Sequence, residues 1–280
     1  MTRPVALITG AGRRNTIAWA IASGLAADGW DIAFSHLGDY DRRMPLGGDP
    51  DRDPAALEDE LRSLSARAVA LDADLADPEV PARLLVRAAE LGPVRALVLS
   101  HAQSVDSGIL DTSVESFDRH VAVNARAALL LVQAFAAQFE GADGDTDGTN
   151  GTGDTDGTGG AVGGRGVDGG LGVGGRIVAL TSDHVVGNVP YGASKGALDR
   201  IVIAAARELA PLGITANLVN PGPVDTGWMD DATRDALTAQ QPTGRLGTPE
   251  DAARLVRFLV SEEARWVTGQ LMHSDGGFSV

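Results

Sequence analysis

Val5-Ala6-Leu7-Ile8-Thr9-Gly10-Ala11-Gly12-Arg13-Arg14-Asn15-Thr16-Ile17-Ala18 is the stretch that decides the fold. Val5–Thr9 is a short apolar run without polar alternation, as expected of a buried strand. Two glycines follow at once, and then an Ala/Ile/Leu stretch at helical spacing that runs to Asp28. Strand, glycine turn and helix in this order form the first half of a dinucleotide-binding unit. Gly10 and Gly12 let the chain turn tightly, and let a pyrophosphate approach the backbone N–H groups at the helix N-terminus. The stretch is not a full GxGxxG, because Thr16 and Ala18 stand where later glycines are expected. A loop that merely joins a strand to a helix fits the same residues.

Working outward, the alternation continues. Asp31–Ser35 reads as strand, Pro54–Leu64 as helix, Ala66–Leu71 as strand and Pro78–Leu91 as helix. Val94–Ser100 is a strand and Val114–Phe139 a long helix. Beyond them come strand Arg176–Thr181, helix Pro190–Leu212, strand Ile214–Val219, helix Glu250–Val260 and a last strand, Gly269–His273. Runs such as Ala96-Leu97-Val98-Leu99 suit parallel strands covered on both faces. The expectation is an α/β fold with a doubly wound parallel sheet, and 280 residues suffice for a single domain, 1–280.

Tyr191-Gly192-Ala193-Ser194-Lys195 places a phenol and an ammonium at i and i+4, on one face of a helix. A free phenol titrates near pH ~10, and a lysine beside it favours the phenolate, which brings it toward useful acid–base chemistry. Alone the YxxxK spacing is weak. It gains weight from the glycine turn and the α/β alternation around it.

Taken together these motifs resemble the short-chain dehydrogenase/reductase family from residue 4 to residue 278, apart from one insert. Thr9-Gly10 and the loop after it are similar to the family's cofactor turn, with Gly10, Gly12, Arg13, Arg14 and Ile17 as candidate contacts. Asp74-Leu75 resembles the acidic–apolar pair that meets adenine. Asn124 in Val123-Asn124-Ala125, Ser182 after the fifth strand, Tyr191 and Lys195 match the family's catalytic tetrad. Asn220-Pro221-Gly222-Pro223-Val224-Asp225-Thr226 resembles the PGxxxT segment that holds nicotinamide, through Pro221, Gly222, Val224 and Thr226. Thr268-Gly269-Gln270 and Asp275-Gly276-Gly277 match the C-terminal signature. The resemblance implies a Rossmann-like fold, hydride transfer between a nicotinamide cofactor and a carbonyl or secondary alcohol, and a homotetramer or dimer. Tyr191 would exchange the proton and Ser182 would bond the same substrate oxygen. Lys195 would tune the phenol and grip the ribose, and Asn124 would hold a water joining Lys195 to solvent.

The departures are specific. The glycine loop is two residues longer than usual. Ser100-His101-Ala102-Gln103 replaces the common Asn-Asn-Ala-Gly, with Ala102 kept as a candidate cofactor contact. Ser182 lies only nine residues before Tyr191, so the intervening loop is cropped, and Thr181 is the fallback for its role. These changes leave a second class open, a non-catalytic NADP(H)-binding sensor or scaffold.

Cofactor choice turns on charge. The second strand ends Ala33-Phe34-Ser35-His36 with no carboxylate before Asp39, so Ser35 and His36 replace the acid that commonly bonds the ribose of NAD. Arg13 and Arg14 lie where a 2′-phosphate would sit, and arginine pairs strongly with phosphate. NADP(H) is therefore favoured over NAD(H). Two solvated loop arginines with a tolerant Ser35 is the competing reading.

Residues 141–175 are dominated by Gly, Asp and Thr without apolar periodicity, and read as a disordered insert between the long helix and the fifth strand. Asp143, Asp145, Asp147, Gly148 and Asp154 follow an EF-hand order, and Gly163–Asp168 resembles one turn of a calcium-binding glycine repeat. Neither has the flanking structure such sites need. A formal charge of −15 makes nucleic acid and anionic membrane poor partners. The sequence shows no apolar run approaching the ~20 residues that span a bilayer, and a soluble cytoplasmic protein is expected. There is no cysteine. His36, His101, His120 and His273 read as structural or surface residues and form no metal site by spacing; His184, in the cropped loop, could face substrate. Trp228 and Met229 open a segment to Gln241 that resembles the family's substrate lid, although core packing fits them equally. Asn220–Met229 is similar to members called 3-oxoacyl reductases. Arg119, Arg126, Arg200 and Arg207 could form a basic patch for an acyl carrier, and a small carbonyl compound is the equal alternative.

Overall fold

The computed structural model describes residues 3–44, 47–140 and 174–280. The expected insert, 141–175, and both calcium-loop patterns fall almost wholly outside the described residues. Seven parallel strands lie in the order β3-β2-β1-β4-β5-β6-β7. They are β1 Val5–Thr9, β2 Asp31–His36, β3 Ala68–Asp72, β4 Val94–Leu99, β5 Arg176–Leu180, β6 Thr215–Asn220 and β7 Leu271–His273. The order reverses between β1 and β4, so the crevice that such sheets use for ligands opens at the C-terminal ends of those two strands.

Two apolar layers sandwich the sheet. On one face α1 (Ile17–Ala27), α3 (Asp53–Ser63) and α9 (Pro249–Val260) bury Ile21, Leu25, Leu57, Leu61, Val256 and Leu259 against Ile8, Phe34 and Val98. On the other, α4 (Val80–Ala89), α6 (Ala127–Glu140) and α7 (Val189–Glu208) pack Leu84, Leu131, Phe135, Leu198 and Val202 against Leu7, Leu97 and Ile177. Each such side chain, buried in full, contributes about 1.5–3 kcal/mol.

Thr16 takes its place for a local reason: it is the N-cap of α1, accepting from Trp19 N at 3.2 Å. The longer loop puts Asn15 at φ 58°, a left-handed conformation that asparagine tolerates. Ala18, 1% exposed, lies in the apolar layer.

Three elements differ from the sequence reading. A short helix, α2 (Gly38–Arg43), follows β2. Another, α8 (Asp231–Gln240), fills most of the expected lid and has no buried residue. The long helix is not uniform: α5 (Val114–His120) passes into a π-helical segment, Val121–Arg126, before α6. Its whole span, Val114–Glu140, has an 18-residue window of mean hydropathy 1.4, long and apolar enough by composition to cross a membrane, contrary to the sequence expectation. In the fold 56% of that window is buried inside the domain.

Candidate active site

Ser182, Tyr191, Lys195 and Asn124 converge at the end of β5. Helix α7 starts at Val189, so Tyr191 sits in its first turn and the cropped loop needs only residues 181–188 to reach it. The Ser182 hydroxyl lies close enough to the Tyr191 phenol to favour its ionised form, which places it beside the tyrosine despite the short spacing. Thr181, the fallback, turns its hydroxyl to Asp199 instead. Lys195 is 2% exposed; its Nζ donates to Leu180 O at 2.8 Å and lies 5.6 Å from the centre of the Tyr191 ring.

The electrostatics differ from the expectation for the phenol. Burial pushes Tyr191 up to about 12, with the Ser182 hydroxyl pulling the other way. Burial also lowers Lys195 to about 8, against the opposing pull of Asp199. Desolvation outweighs the pull of Ser182 here, and Tyr191 is held as the neutral phenol.

Asn124 lies in the π-helical segment, a local widening often found at functional sites. Its Oδ1 accepts from Gln103 N at 2.7 Å, and its Nδ2 donates to Gln103 O and to Ser194 Oγ, both at 2.9 Å. Ser194 in turn donates to Tyr191 O at 2.8 Å. Both amide hydrogens are committed, so the side chain ties the β4 loop to α7, while Oδ1 keeps a second acceptor site.

At the crevice, Gly10 has φ +85°, and a Cβ there would stand 2.7 Å from His101 Cα. His101 replaces the usual asparagine and locks the same corner. Its Nδ1 meets Thr9 Oγ1 at 2.6 Å and its Nε2 meets Val123 O at 3.0 Å. Burial and Lys195 push it down to about 3, so the ring is neutral, with Nε2 donating and Nδ1 accepting. Gly222 has φ +62°, and a Cβ there would collide with the Asp275 side chain, while Val224 is buried.

The two loop arginines separate. Arg14 is exposed, stacks 5.1 Å over Trp19 and pairs with Asp53 at 3.6 Å, away from the crevice. Arg13 points inward, paired with Asp41 of α2 at 3.0 Å, and donates to Thr226 O at 3.3 Å. It thus joins the glycine loop to the PGxxxT segment. A Cβ on Gly12 would press against both the Asp41 carboxylate and the His36 side chain. Asp41 was not legible as part of this corner, because nothing in Gly38–Arg43 signals that the chain folds back. Neither was Tyr40, one of only two tyrosines in the chain. Burial pushes its phenol up, with the Ser104 backbone pulling the other way, and it lies within electrostatic reach of Tyr191.

Ser35 is buried at the end of β2, and the half-exposed His36 keeps an Nδ1 atom that is buried without a partner. Asp74 is engaged in a two-pronged bond with Arg119, at 2.9 and 3.1 Å, and Leu75 beside it is buried. Arg126 donates to Ala76 O, so it and Arg119 lie beside the Asp74 turn, whereas Arg200 and Arg207 belong to α7. Ile17 opens α1 and Ala102 is half-buried after β4, both on the rim of the crevice. His184 is exposed, and its backbone N–H donates to Ser182 Oγ at 3.1 Å. Met229 is buried, and the half-exposed Trp228 donates from Nε1 to Val224 O at 3.0 Å. A glycine cradle at a helix N-terminus, an inward arginine and an orphaned imidazole nitrogen at the end of β2 together suit a phosphorylated dinucleotide.

The family model described as "Enoyl-(Acyl carrier protein) reductase" matches residues 10–146 and 166–279. The chain belongs to the short-chain dehydrogenase/reductase family. It is 34% identical to the uncharacterized oxidoreductase YjdA of Bacillus subtilis, over 98% of this chain and 96% of the relative. It is 31% identical to (3R)-3-hydroxyacyl-CoA dehydrogenase of Rattus norvegicus, over 98% and 95%. A short-chain dehydrogenase from Burkholderia cenocepacia, solved in complex with NADP, superposes with a TM-score of 0.77 at 30% identity, over 100% of this chain and 99% of that one. The protein is a short-chain oxidoreductase with this family's single Rossmann-like domain.

Proposed function

We propose that this short-chain dehydrogenase/reductase interconverts a carbonyl and a secondary alcohol with NADP(H). The observation that carries the reading is the Ser182–Tyr191 hydroxyl pair, with Lys195 buried one helical turn beyond it. A bound nicotinamide supplies or accepts the hydride. In the reducing direction Tyr191, held neutral, gives its proton to the substrate oxygen, and Ser182 donates a hydrogen bond to the same atom. Lys195 holds positive charge beside the phenol as the proton leaves, and Asn124 keeps the loop around Gln103 in register with α7. Gly10, Gly12, the start of α1, Ala102 and the Pro221–Thr226 segment would hold the cofactor.

The NADP(H) preference is supported by Arg13, by the absence of a carboxylate on Ser35 or His36, and by the NADP found with the Burkholderia cenocepacia relative. Arg13 would exchange Asp41 for a 2′-phosphate. The activity named for the Rattus norvegicus relative favours a 3-hydroxyacyl or 3-oxoacyl thioester as substrate class, with small ketones as the alternative. Exposed apolar side chains on the long helix (Val114, Phe117, Leu129) and near the sheet edge at β7 (Phe258, Trp266, Leu271) support a homo-oligomer, a tetramer or a dimer.

The test is loss of absorbance at about 340 nm with NADPH and, separately, NADH across ketones, 3-oxoacyl thioesters and oxidised sugars. Turnover that Tyr191→Phe abolishes is the expected result. Tight NADPH binding with no turnover on any of them would favour the non-catalytic binder.

A further inference from the structure

Lys195 is the only lysine in the chain; every other cationic side chain of the 23 is an arginine. It is 2% exposed, and Nζ has one hydrogen-bond partner, Leu180 O, at 2.8 Å. One turn further along α7 stands Asp199, so Tyr191, Lys195 and Asp199 follow one another at i, i+4 and i+8 on the face turned to the end of β5. Asp199 accepts the Thr181 hydroxyl at 2.5 Å. Two successive turns of α7 therefore grip two successive residues, Leu180 by its carbonyl and Thr181 by its side chain, and the next residue is Ser182.

We propose that Asp199 is a positioning residue of the proton relay, one that fixes the end of β5 under Ser182 and supplies the negative field that keeps Lys195 an ammonium. The catalytic half of this inference rests on the oxidoreductase reading above. The other groups facing Lys195 bring it no negative charge. His101, on the loop after β4, is neutral, and Tyr191 is held as the phenol. Ser182 and the Leu180 carbonyl, from β5, are uncharged. Tyr40 of α2 lies beyond Tyr191, and its phenol too is raised by burial. Among the described residues Asp199 is the carboxylate acting on the ammonium, through space rather than by contact; burial pushes its own carboxyl up, while the Thr181 hydroxyl, Lys195 and Arg200 favour its ionised form.

A lone lysine makes the test direct. Protein carrying 13C-labelled lysine gives a single side-chain spin system, whose pH titration reports Lys195 without any substrate. Asp199→Asn is expected to move that midpoint, about 8 in the wild type, acidward by roughly one pH unit, the scale of one nearby charge. The basic limb of kcat/KM should move with it. Asp199→Glu, which keeps the charge, should restore most of both. Asp199→Ser, smaller and uncharged, serves if the Asn variant does not fold. A midpoint unmoved in a folded, uncharged variant would overturn the inference, even if the enzyme turns over. A midpoint that moves in a protein with no turnover would support the electrostatic pairing and count only against the oxidoreductase reading.

Discussion

Thr9 and His101 meet hydroxyl to imidazole at 2.6 Å, joining the C-terminal end of β1 to the loop after β4 at the point where the sheet order reverses. His101 is pushed down to about 3 from its ordinary value of 6.5. Between those values the unfolded chain takes up a proton that the folded chain refuses, so the unfolded state binds more protons. Stability therefore falls as pH drops from about 6.5 toward about 3. By about pH 5 this group alone should cost about 2 kcal/mol relative to neutrality. Urea unfolding of wild type and His101→Asn at the two pH values checks it: the variant should lose less stability on acidification.

Tyr191→Phe should lower kcat by about 10²–10⁴-fold, the usual scale for a positioned proton donor, while NADPH binding persists. Because Tyr191 is pushed up to about 12 and Lys195 down to about 8, the first group to titrate on the basic side is the lysine. Activity should decline above pH ~8 as the ammonium loses its proton. A stopped-flow rate profile in the reducing direction measures the midpoint.

Arg13→Ala should weaken NADPH binding by about tenfold or more, given about 1.5–3 kcal/mol for a hydrogen bond to a charged group, and change NADH binding far less. Asp41→Asn should do the opposite, tightening NADPH, since the carboxylate that competes for Arg13 is gone. Fluorescence titration of each variant with both cofactors separates the effects. Equal losses for NADH and NADPH in Arg13→Ala would place Arg13 on the pyrophosphate instead.

Gly10→Ala should destabilise the fold by more than about 1 kcal/mol, because alanine disfavours the positive φ there. Its Cβ would also press against the His101 backbone. A lowered Tm together with lost cofactor binding is the expected pair of readouts.

What the sequence made legible follows from local physics. Val5–Thr9 and Ala96–Leu99 are uninterrupted apolar runs, and both are fully buried strands. Tyr191 and Lys195 were visible because helical spacing alone places them together. Helix α2 escaped notice because Gly-Asp-Tyr-Asp-Arg-Arg has no apolar stripe, and Asp41 on it reaches back to Arg13. The π-helical segment was hidden within Val114–Phe139, where apolar residues surround the helix and one extra residue per turn breaks no pattern. Tyr40 reaches Ser104 and Tyr191 only through tertiary folding, which spacing along the chain does not record.

Burying the single lysine has a practical result for the protein's surface. Reagents that attack side-chain amines, whether acylating agents, reducing sugars or conjugating enzymes, find no such target on the outside of the described fold. The one they could reach lies in the cleft, so modification there should be slow and all-or-none. It should also be blocked by whatever fills the cleft, which makes amine labelling a direct footprint of cofactor occupancy.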